Sequence, residues 1–348
     1  MSGRKPKLLI SVGEFIEGAG QSRVVNEEVR YLSDRYRITI VADSIRWSSP
    51  IEASLEDIGD VDSSDRGAGM LRRIISSSDL VHCHDSLKMM ATVASMSKPW
   101  VVTSHGIAPI RLRSTASNKV KGAVTQVAYP LLYRRATELV AISPYIKEWL
   151  ARNARRNAVL IPNGAPPLLD SAKRQKPSTA NLLYVGEISR RKGITDLVRA
   201  ASLLPVGSKM KLAGVGDIAQ FRDTSDGTGA SVEHFGLVSD AHLQHLYQSA
   251  TCLISASFWE GYGLPVVEGF SYGTPALVRN STNLRNLVLD SQAGRLFDEV
   301  NQIPRLFDEI LHDWEVLSAN ALNYARSHSW VRTFDEYHQL FSGLLQAN

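Results

Sequence analysis

Residues 251–280 read TCLISASFWEGYGLPVVEGFSYGTPALVRN and predict one complete strand–helix–strand unit. The runs 251–257 and 274–280 are almost continuously apolar, which is typical of strands buried on both faces of a parallel sheet. A glycine-rich turn follows the first run. We expect the helix to begin near Leu264 or Pro265, because proline suits the first turn of a helix. Parallel strands joined by a helix predict the α/β class.

Runs of the same kind recur on both sides of this unit. In the first half of the chain they cover residues 7–13, 37–43, 79–85, 99–105, 138–143 and 158–163. In the second half they cover residues 181–187, 210–216, 231–236, 251–257, 274–280 and 293–298. Helix-like segments accompany them at 22–34, 143–153, 194–204, 240–249 and 330–345. This alternation predicts doubly wound sheets with helices on both faces.

The series of strands is interrupted once, by a segment rich in proline, glycine, serine and lysine at 163–180. A chain of 348 residues is also long for a single core. We therefore predict an N-terminal Rossmann-like domain at 1–165, a linker at 166–180 and a second Rossmann-like domain at 181–325. A last helix within 326–348 is expected to pack back on the first domain. Ligands of such sheets bind at the carboxyl ends of the strands, so we expect the site in a cleft between facing domains.

Composition excludes several classes of protein. No apolar run reaches the roughly 18 residues that span a bilayer. The basic N-terminus is not followed by the apolar region of a signal peptide. Cys83 and Cys252 lie inside apolar runs and are expected to be buried thiols in a reducing compartment. These features predict a cytoplasmic protein.

Positive charge is concentrated in the first half of the chain. Residues 1–165 hold 23 Lys and Arg against 16 Asp and Glu. Between residues 111 and 137 there is no acidic residue, and the basic ones are Arg111, Arg113, Lys119, Lys121, Arg134 and Arg135. Such a stretch is either a solvated helix face or a surface for anionic lipid or a phosphate-bearing acceptor, which would make the protein peripheral at a membrane. No aromatic interleaving accompanies the charge, so nucleic acid is not expected as a partner.

Two carboxylates surround the glycine-rich turn. Glu260 precedes the predicted helix and Glu268 lies about one turn inside it, while Gly261 and Gly263 allow a ligand close to the backbone. The amides and the positive dipole end of the helix suit a diphosphate, and the carboxylates suit hydroxyl groups on either side of it. The pattern therefore fits a nucleotide sugar. The alternative is an ordinary turn with two surface glutamates.

Glu260 and Glu268, with GYGLP between them and Gly273-Thr274-Pro275 after them, resemble the E-x7-E motif of the retaining GT-B glycosyltransferases of family 4 (glycosyl transferases group 1). The resemblance extends over almost the whole chain. It implies that Glu260, Gly261 and Tyr262 bind the donor sugar and that Glu268 binds the ribose. It also implies that Gly263 and Leu264 supply amides to the diphosphate.

Residues 186–193, GEISRRKG, are similar to the segment of the same family whose arginine and lysine hold the diphosphate. Lys192 matches, but Glu187 stands where an arginine is usual. Pyrophosphate generally attracts two cations, so we expect Arg191 or Arg190 to take the second place. In the first domain, Gly18-Ala19-Gly20 is similar to the family's glycine pair, which implies that Gly20 approaches the diphosphate. A plain turn is the alternative.

Several residues follow other strands. The resemblance implies that His105, in His105-Gly106, donates a hydrogen bond beside the transferred sugar, that Phe235 and Gly236 lie near the base, and that Asn163-Gly164 is a hinge. His82 and His84 share one face of a strand, but no Cys or His partner cluster follows them in the sequence, so no metal site is predicted. We expect His82 to be a core histidine.

The resemblance implies a retaining transfer from a UDP-, GDP- or ADP-sugar to a hydroxyl of a glycan, lipid or small-molecule acceptor, with no metal and no further cofactor. In such a transfer the departing phosphate takes the proton of the acceptor hydroxyl. Three alternatives remain open from the sequence. They are a sugar-nucleotide epimerase, a phosphorylase of the same architecture and a catalytically silent partner subunit.

Overall fold

The computed structural model describes residues 4–57, 65–112, 116–168, 174–221 and 229–347. The chain divides into two compact units. The first unit comprises Met1–Ile107, Ser117–Asn163 and Trp330–Asn348, and the second comprises Ala108–Ala116 and Gly164–Ser329.

The first unit is built on a parallel sheet. Its described strands are β1 (Lys7–Ile16), β2 (Arg37–Arg46), β3 (Ser54–Asp57), β4 (Leu80–His84), β5 (Trp100–Ser104), β6 (Glu138–Ala141) and β7 (Val159–Leu160). They are ordered β3-β2-β1-β4-β5-β6-β7, and every pairing between them is parallel. The order reverses direction between β1 and β4, which makes that pair the switch point of a doubly wound sheet.

Among the described residues, the helices that connect these strands are α1 (Gly20–Leu32), α2 (Asp65–Ser77), α3 (Leu87–Val93), α4 (Ala116–Tyr133) and α5 (Pro144–Asn153). α1 buries Val24, Val25, Val29 and Leu32 at helical spacing, and its buried face also contains Glu28. In α5, the Ser143 hydroxyl accepts a hydrogen bond from the backbone N–H of Ile146 and caps the helix.

The second unit repeats the arrangement. Its described strands are β8 (Asn181–Val185), β9 (Lys209–Ala213), β10 (Ser231–His234), β11 (Cys252–Ser255), β12 (Ala276–Arg279) and β13 (Gly294–Phe297). They are all parallel in the order β10-β9-β8-β11-β12-β13, with the switch point between β8 and β11. The helices are α6 (Ile194–Leu203), α7 (Asp240–Ser249), α8 (Leu264–Ser271), α9 (Thr282–Ser291), α10 (Ile303–His312) and α11 (Trp314–Ser327).

The final helix, α12 (Trp330–Gln346), belongs to the first unit. It buries Trp330, Phe334, Tyr337 and Phe341, which are spaced four, three and four residues apart on one face. Phe334 stacks on Tyr31 of α1 with ring centroids 5.9 Å apart, and Phe341 meets Tyr36 edge-on at 6.0 Å.

The predicted α/β class with two doubly wound parallel sheets is confirmed. All twelve predicted strands are present, and β1 runs three residues further, to Ile16, because it pairs with β2 as far as Arg46. The sequence did not indicate β3. That short strand, Ser-Leu-Glu-Asp, lies at the sheet edge and lacks the apolar run that marks a buried strand.

Part of the predicted linker is attached to the second unit. Residues 169–173 lie outside the described residues, but Arg174 donates hydrogen bonds to the carbonyl oxygens of Gln248 and Ala250. Its guanidinium also lies 5.0 Å from the ring centroid of Trp314. Through the described parts of the chain, no helix combines the length and the apolar character needed to cross a membrane.

Candidate functional site

An ion pair lies at the switch point of the second sheet. Lys192 follows β8 and Glu260 follows β11, and these two strands are neighbours. The Lys192 Nζ and the Glu260 Oε1 are 2.5 Å apart, and each side chain is only 17% exposed. Because the carboxyl ends of these strands are where ligands of doubly wound sheets bind, the pair marks the candidate site.

Gly193 brings the two loops together. It has a φ of 73°, and a Cβ added there would lie 2.1 Å from the carbonyl oxygen of Ala256. Only glycine therefore permits this approach of backbone to backbone. A hydrogen bond of 3.2 Å from the Phe258 N–H to the Arg191 carbonyl oxygen joins the same loops.

Glu260 is held from several directions. The Ser257 hydroxyl donates to Oε1 at 2.8 Å, the same oxygen that meets Lys192. The backbone N–H of Glu260 donates to the Thr282 hydroxyl at 3.1 Å. Within the described part of the chain, Oε2 of Glu260 has no hydrogen-bond partner. The carboxylate is thus fixed in position with one oxygen available as an acceptor.

The glycine-rich turn leads into α8 as predicted. Gly263 has a φ of 101°, and a Cβ there would lie 2.9 Å from a methyl carbon of Leu287. α8 begins at Leu264 with Pro265 in its first turn. Tyr262 is only 4% exposed, and its carbonyl oxygen accepts a 2.7 Å hydrogen bond from the Asn283 amide. The buried Tyr262 side chain and this hydrogen bond therefore anchor the turn.

Glu268 lies deeper than the sequence suggested. It is 5% exposed, and the hydroxyl of Tyr247 on α7 donates to its Oε2 at 2.7 Å. Tyr247 in turn stacks on Tyr272 with ring centroids 5.5 Å apart. The structure therefore places this carboxylate against α7 and, unlike Glu260, not in contact with Lys192.

Arg191, the expected second cation, forms an ion pair with Glu187, the residue that stands where the family usually has an arginine. Arg191 Nη2 lies 2.9 Å from Oε2 of Glu187, an ion pair between residues four apart. The Glu187 carbonyl oxygen accepts a hydrogen bond from the Tyr184 hydroxyl at 2.7 Å, which fixes the start of this loop. Burial raises the pKa of Tyr184 well above its usual value, so the hydroxyl remains protonated and able to donate.

Phe235 and Gly236 follow β10, the edge strand of the same sheet. The Phe235 ring meets His242 edge-on at 5.5 Å, and Gly236 has a φ of 64° with open space where a Cβ would lie. The Gly236 carbonyl oxygen accepts a 2.8 Å hydrogen bond from the N–H of Gly214. β10 is two strands away from β8, roughly 10 Å across the sheet, so these residues lie at the same end without touching the ion pair.

Gly20 and His105 belong to the first unit. Gly20 is the first residue of α1, after Gly18, which has a φ of 82°. His105 follows β5, and its Nε2 lies 2.9 Å from Nδ1 of His84 at the end of the neighbouring strand β4. The glycine loop and His105 thus flank the switch point of the first sheet.

Asp85, which the sequence analysis did not select as a site residue, holds the backbone of His105. Its Oδ2 accepts a 2.7 Å hydrogen bond from the His105 N–H, and its Oδ1 accepts one from the hydroxyl of Tyr133 on α4. Burial raises the pKa of Asp85 to about 7, although these hydrogen bonds act in the opposite direction. Asp85 has a φ of 49°, a conformation that aspartate tolerates better than most side chains.

Glu28 was also missed. His82 and His84 were expected to lack a partner cluster, but α1 places Glu28 within hydrogen-bond reach of both. The possible ligand atoms of these three buried residues all lie within 4.8 Å of one another, so the group could hold a metal ion. A signal existed in the sequence, because Glu28 recurs at helical spacing with Val24, Val25, Val29 and Leu32 and is the one acidic residue on the buried face of α1.

Two protein-family models match this chain. The model described as Glycosyl transferases group 1 matches residues 169–328, and the model described as Glycosyltransferase Family 4 matches residues 18–167. The O-antigen chain mannosyltransferase B of Escherichia coli is 33% identical over 161 residues. That alignment covers 42% of this chain and 42% of the relative, so the chain matches less than half of that relative's length.

Solved structures share the fold over nearly the whole chain. Sucrose-phosphate synthase from Thermosynechococcus elongatus superposes with a TM-score of 0.79 at 18% identity, covering 99% of this chain and 100% of that one. The HepE protein of Anabaena, in complex with UDP-glucose, superposes with a TM-score of 0.76 at 16% identity, covering 97% and 100%. At these identities the likeness establishes the architecture only.

Proposed function

Because this chain belongs to the glycosyltransferases of group 1 and family 4, we propose that it transfers a sugar from a nucleotide-sugar donor to a hydroxyl group with retention of configuration. The observation that carries the proposal is the Lys192–Glu260 pair at the switch point of the second sheet. In this pair, Lys192 is a cation that can bind phosphate, and it lies beside Glu260, a carboxylate that can bind sugar hydroxyl groups. The UDP-glucose complex of the structurally similar HepE supports a nucleotide sugar as the donor.

Lys192 and Glu260 neutralise each other in the absence of a ligand. A diphosphate would compete for the lysine, and its two negative charges would favour exchange of the Lys192–Glu260 contact for a Lys192–phosphate contact. The released Glu260, still held by Ser257 and Thr282, would accept hydrogen bonds from the donor sugar. The same carboxylate would stabilise positive charge that develops at the anomeric carbon.

Arg191 is proposed to be the second cation that binds the diphosphate. It would exchange its ion pair with Glu187 for a contact with a phosphate oxygen. Gly263 and Leu264, at the start of α8, would supply backbone amides to the diphosphate. Glu268 would bind the ribose, and Phe235 and Gly236 would lie beside the base. Retention follows if the acceptor attacks the face from which the phosphate leaves and the leaving phosphate oxygen takes the acceptor proton. The chain then needs no nucleophilic side chain.

Nucleotide binding tests the donor site. UDP, GDP and ADP would be compared for their effect on the melting temperature of the wild type and of Lys192→Met. At about 100 times its dissociation constant a ligand stabilises the native state by roughly 2.7 kcal/mol. We expect one nucleotide to raise the melting temperature and Lys192→Met to lose most of the gain.

Lys209→Met is the matched control, because Lys209 forms a similar pair with Glu233, at 3.3 Å, from the amino end of β9. It should respond to the nucleotide as the wild type does. Absence of stabilisation by all three nucleotides would contradict the donor site. Equal loss in both lysine variants would show that Lys192 acts only through stability.

Turnover is tested with Glu260→Gln and the sugar donor that carries the best nucleotide. Loss of a charge that acts on the reacting sugar typically costs about 10²–10³ in rate, with nucleotide binding retained. The products also separate the alternatives. Recovery of an epimerised nucleotide sugar indicates an epimerase, a requirement for inorganic phosphate indicates a phosphorylase, and no turnover with intact binding indicates a silent subunit.

The acceptor side is proposed to include an anionic membrane surface that meets α4. Val120, Val124, Val127 and Leu131 recur at spacings of four, three and four residues, so they share one face of the helix. They are 65%, 50%, 66% and 54% exposed, which is unusual for a line of large apolar side chains. Lys119, Lys121 and Arg135 are exposed beside them.

An exposed apolar stripe flanked by cations is the pattern of a helix that lies in a lipid interface. Three arginines of the basic segment are not included in this proposed membrane surface. Arg134 donates a 2.8 Å hydrogen bond to the carbonyl oxygen of Ala154 at the end of α5. Arg111 belongs to the second unit, and Arg113 lies outside the described residues.

Flotation with vesicles tests the surface. Vesicles of phosphatidylcholine alone would be compared with vesicles that also contain phosphatidylglycerol, at low and high salt. We expect binding only to the anionic vesicles at low salt. Replacing Val124 and Val127 together by Glu should weaken it roughly tenfold or more, because apolar contact is replaced by charge.

The matched control is Val316→Glu, at a valine that is 64% exposed on α11 of the second unit. It should bind like the wild type. Binding that is indifferent to lipid charge, or equally weakened in both variants, would remove the membrane from the proposal and leave α4 as a solvated helix.

A further inference from the structure

A continuous chain of buried hydrogen bonds leads from α1 to His105. Glu28 Oε2 lies 2.8 Å from Nε2 of His84, and Nδ1 of His84 lies 2.9 Å from Nε2 of His105. The second oxygen of Glu28, Oε1, lies 2.7 Å from Nδ1 of His82. Glu28 and His82 are fully buried and His84 is 1% exposed, whereas His105 is only partly buried.

The proton on each nitrogen follows from the carboxylate. Burial alone would raise the pKa of Glu28, but the attraction of His82 and hydrogen bonds from both histidines outweigh it and lower the pKa to about 2. An ionised carboxylate can only accept hydrogen bonds. His82 must therefore carry a proton on Nδ1, and His84 must carry one on Nε2.

The protonation of His84 fixes the direction of the next hydrogen bond, between His84 and His105. Burial, with repulsion from His82, lowers the pKa of His84, so its ring is neutral and its Nδ1 holds a lone pair. Nδ1 can then only accept the 2.9 Å hydrogen bond, and Nε2 of His105 must donate it. Burial also lowers the pKa of His105 well below its usual value, so this ring carries a single proton.

We propose that Glu28 and His84 are positioning residues that hold His105 as the neutral tautomer protonated on Nε2, which leaves Nδ1 as a hydrogen-bond acceptor. Nδ1 of His105 has no hydrogen-bond partner in the described part of the chain. Asp85 fixes the backbone of the same residue through the His105 N–H. His105 is thus oriented both through its ring and through its main chain.

The tautomer determines what His105 can recognise. An unprotonated nitrogen accepts a hydrogen bond from a hydroxyl group and repels a phosphate oxygen. His105 would therefore meet a hydroxyl group of the acceptor. This differs from the donating role that the family resemblance implied. The identity of that hydroxyl rests on the proposed function, but the tautomer does not.

A bound metal is the competing arrangement for Glu28, His82 and His84. It would occupy the lone pair of His84 Nε2, place the proton on Nδ1 and reverse the hydrogen bond to His105. The geometry favours the proton-linked form. His82 Nδ1 and His84 Nε2 each lie at hydrogen-bond distance from a different oxygen of Glu28. The other nitrogen of His82, Nε2, lies 2.7 Å from the Thr103 hydroxyl oxygen.

The test is a nitrogen NMR spectrum of the unliganded wild-type protein labelled with ¹⁵N-histidine. Long-range proton–nitrogen correlations distinguish a protonated ring nitrogen from one with a lone pair, and His105→Asn assigns the His105 signals by their loss. We expect His105 in a single form, protonated on Nε2 and unprotonated on Nδ1. A proton on Nδ1 would overturn the proposal, and so would a stoichiometric metal found by elemental analysis.

Two variants separate positioning from general stability. His84→Gln retains a group that can donate to Glu28 but has no atom in place of Nδ1, so the single tautomer of His105 should be lost in favour of a mixture. His82→Gln is the matched control, since it touches the other oxygen of the same carboxylate and should leave the His105 signals unchanged. A mixture in both variants, or in neither, would contradict the role of His84.

This experiment and the nucleotide test fail independently. The tautomer is measured without any ligand in the first unit, whereas nucleotide stabilisation reports the Lys192–Glu260 site in the second. Absence of nucleotide binding would leave the tautomer assignment standing. A reversed tautomer would leave the donor site standing.

Discussion

At the scale of single residues, the candidate donor site depends on close contacts that only glycine allows. Gly193 lies against the backbone carbonyl of Ala256, and Lys192, its neighbour, then reaches Glu260. The ion pair is therefore a consequence of backbone packing between two loops, and not of the two charged residues alone.

Replacing Gly193 by Ala should destabilise the protein. A Cβ would lie 2.1 Å from a backbone oxygen that cannot rotate away, at a φ of 73°. We expect a loss of about 2–4 kcal/mol of unfolding free energy, combining left-handed strain with overpacking. Urea unfolding measures it.

Gly207→Ala is the control for Gly193→Ala. Its φ of 92° imposes comparable backbone strain, but nothing lies within 4 Å of the added Cβ. It should cost about 1–2 kcal/mol. Equal losses in the two variants would show that the contact with Ala256 contributes nothing beyond the backbone conformation.

At the scale of elements, α4 connects two features of the first unit. One face carries the exposed stripe of Val120, Val124, Val127 and Leu131. On another face, the Tyr129 and Tyr133 hydroxyls donate to the carbonyl and the carboxylate of Asp85, which in turn accepts the His105 N–H. A surface that touches lipid would thus share a helix with the residues that orient His105.

α12 shows how a distant segment completes the first unit. Phe341 is fully buried, and its ring lies 5.3 Å from the ring of His82 and 6.0 Å from that of Tyr36. Phe341→Ala should therefore destabilise the protein by about 3–5 kcal/mol, the range for a large core truncation. The midpoint of urea-induced unfolding measures the effect.

Val331→Ala tests the opposite face of α12. Val331 is 52% exposed, and alanine is the better helix former, so the change should stay within about 0.5 kcal/mol. A small effect for Phe341→Ala as well would mean that α12 is not an integral part of the first unit's core.

At the scale of the whole molecule, the sequence was most informative where one local signal was sufficient. Continuous apolar runs predicted both buried sheets, and Pro265 predicted the start of α8. Glu28 and Asp85 were missed because their importance depends on contacts with residues far along the chain. Glu28 meets His82 and His84 only after α1 is placed on the sheet, and no spacing rule links them.

The pair of Glu187 and Arg191 shows a related limit. The sequence showed that an arginine was replaced and offered Arg191 or Arg190 in its place. The 2.9 Å contact shows that the replacing glutamate and the candidate arginine compensate each other. That outcome required the geometry of the turn, because two residues four apart meet only if the intervening backbone curves like a helix.

The stability of the protein should depend on pH, because several buried groups have pKa values in the folded state that differ from those in the unfolded state. His84 and His105 have lowered pKa values, mainly because of burial, so below their usual value of 6.5 the unfolded state binds protons that the folded state does not. Their contribution to stability is therefore lost as the pH falls. The lowered pKa of Glu28 acts in the same direction below 4.5. We expect the unfolding free energy to fall between pH 7 and pH 5, measured by urea unfolding at several pH values.

Asp85 opposes this trend and provides the internal test. Its pKa is raised from 3.8 to about 7, so its contribution is present at low pH and is lost as the pH rises through about 7. In Asp85→Asn that opposing contribution disappears, and stability should fall more steeply on acidification than in the wild type. A parallel pair of pH profiles would show that Asp85 is ionised throughout the range.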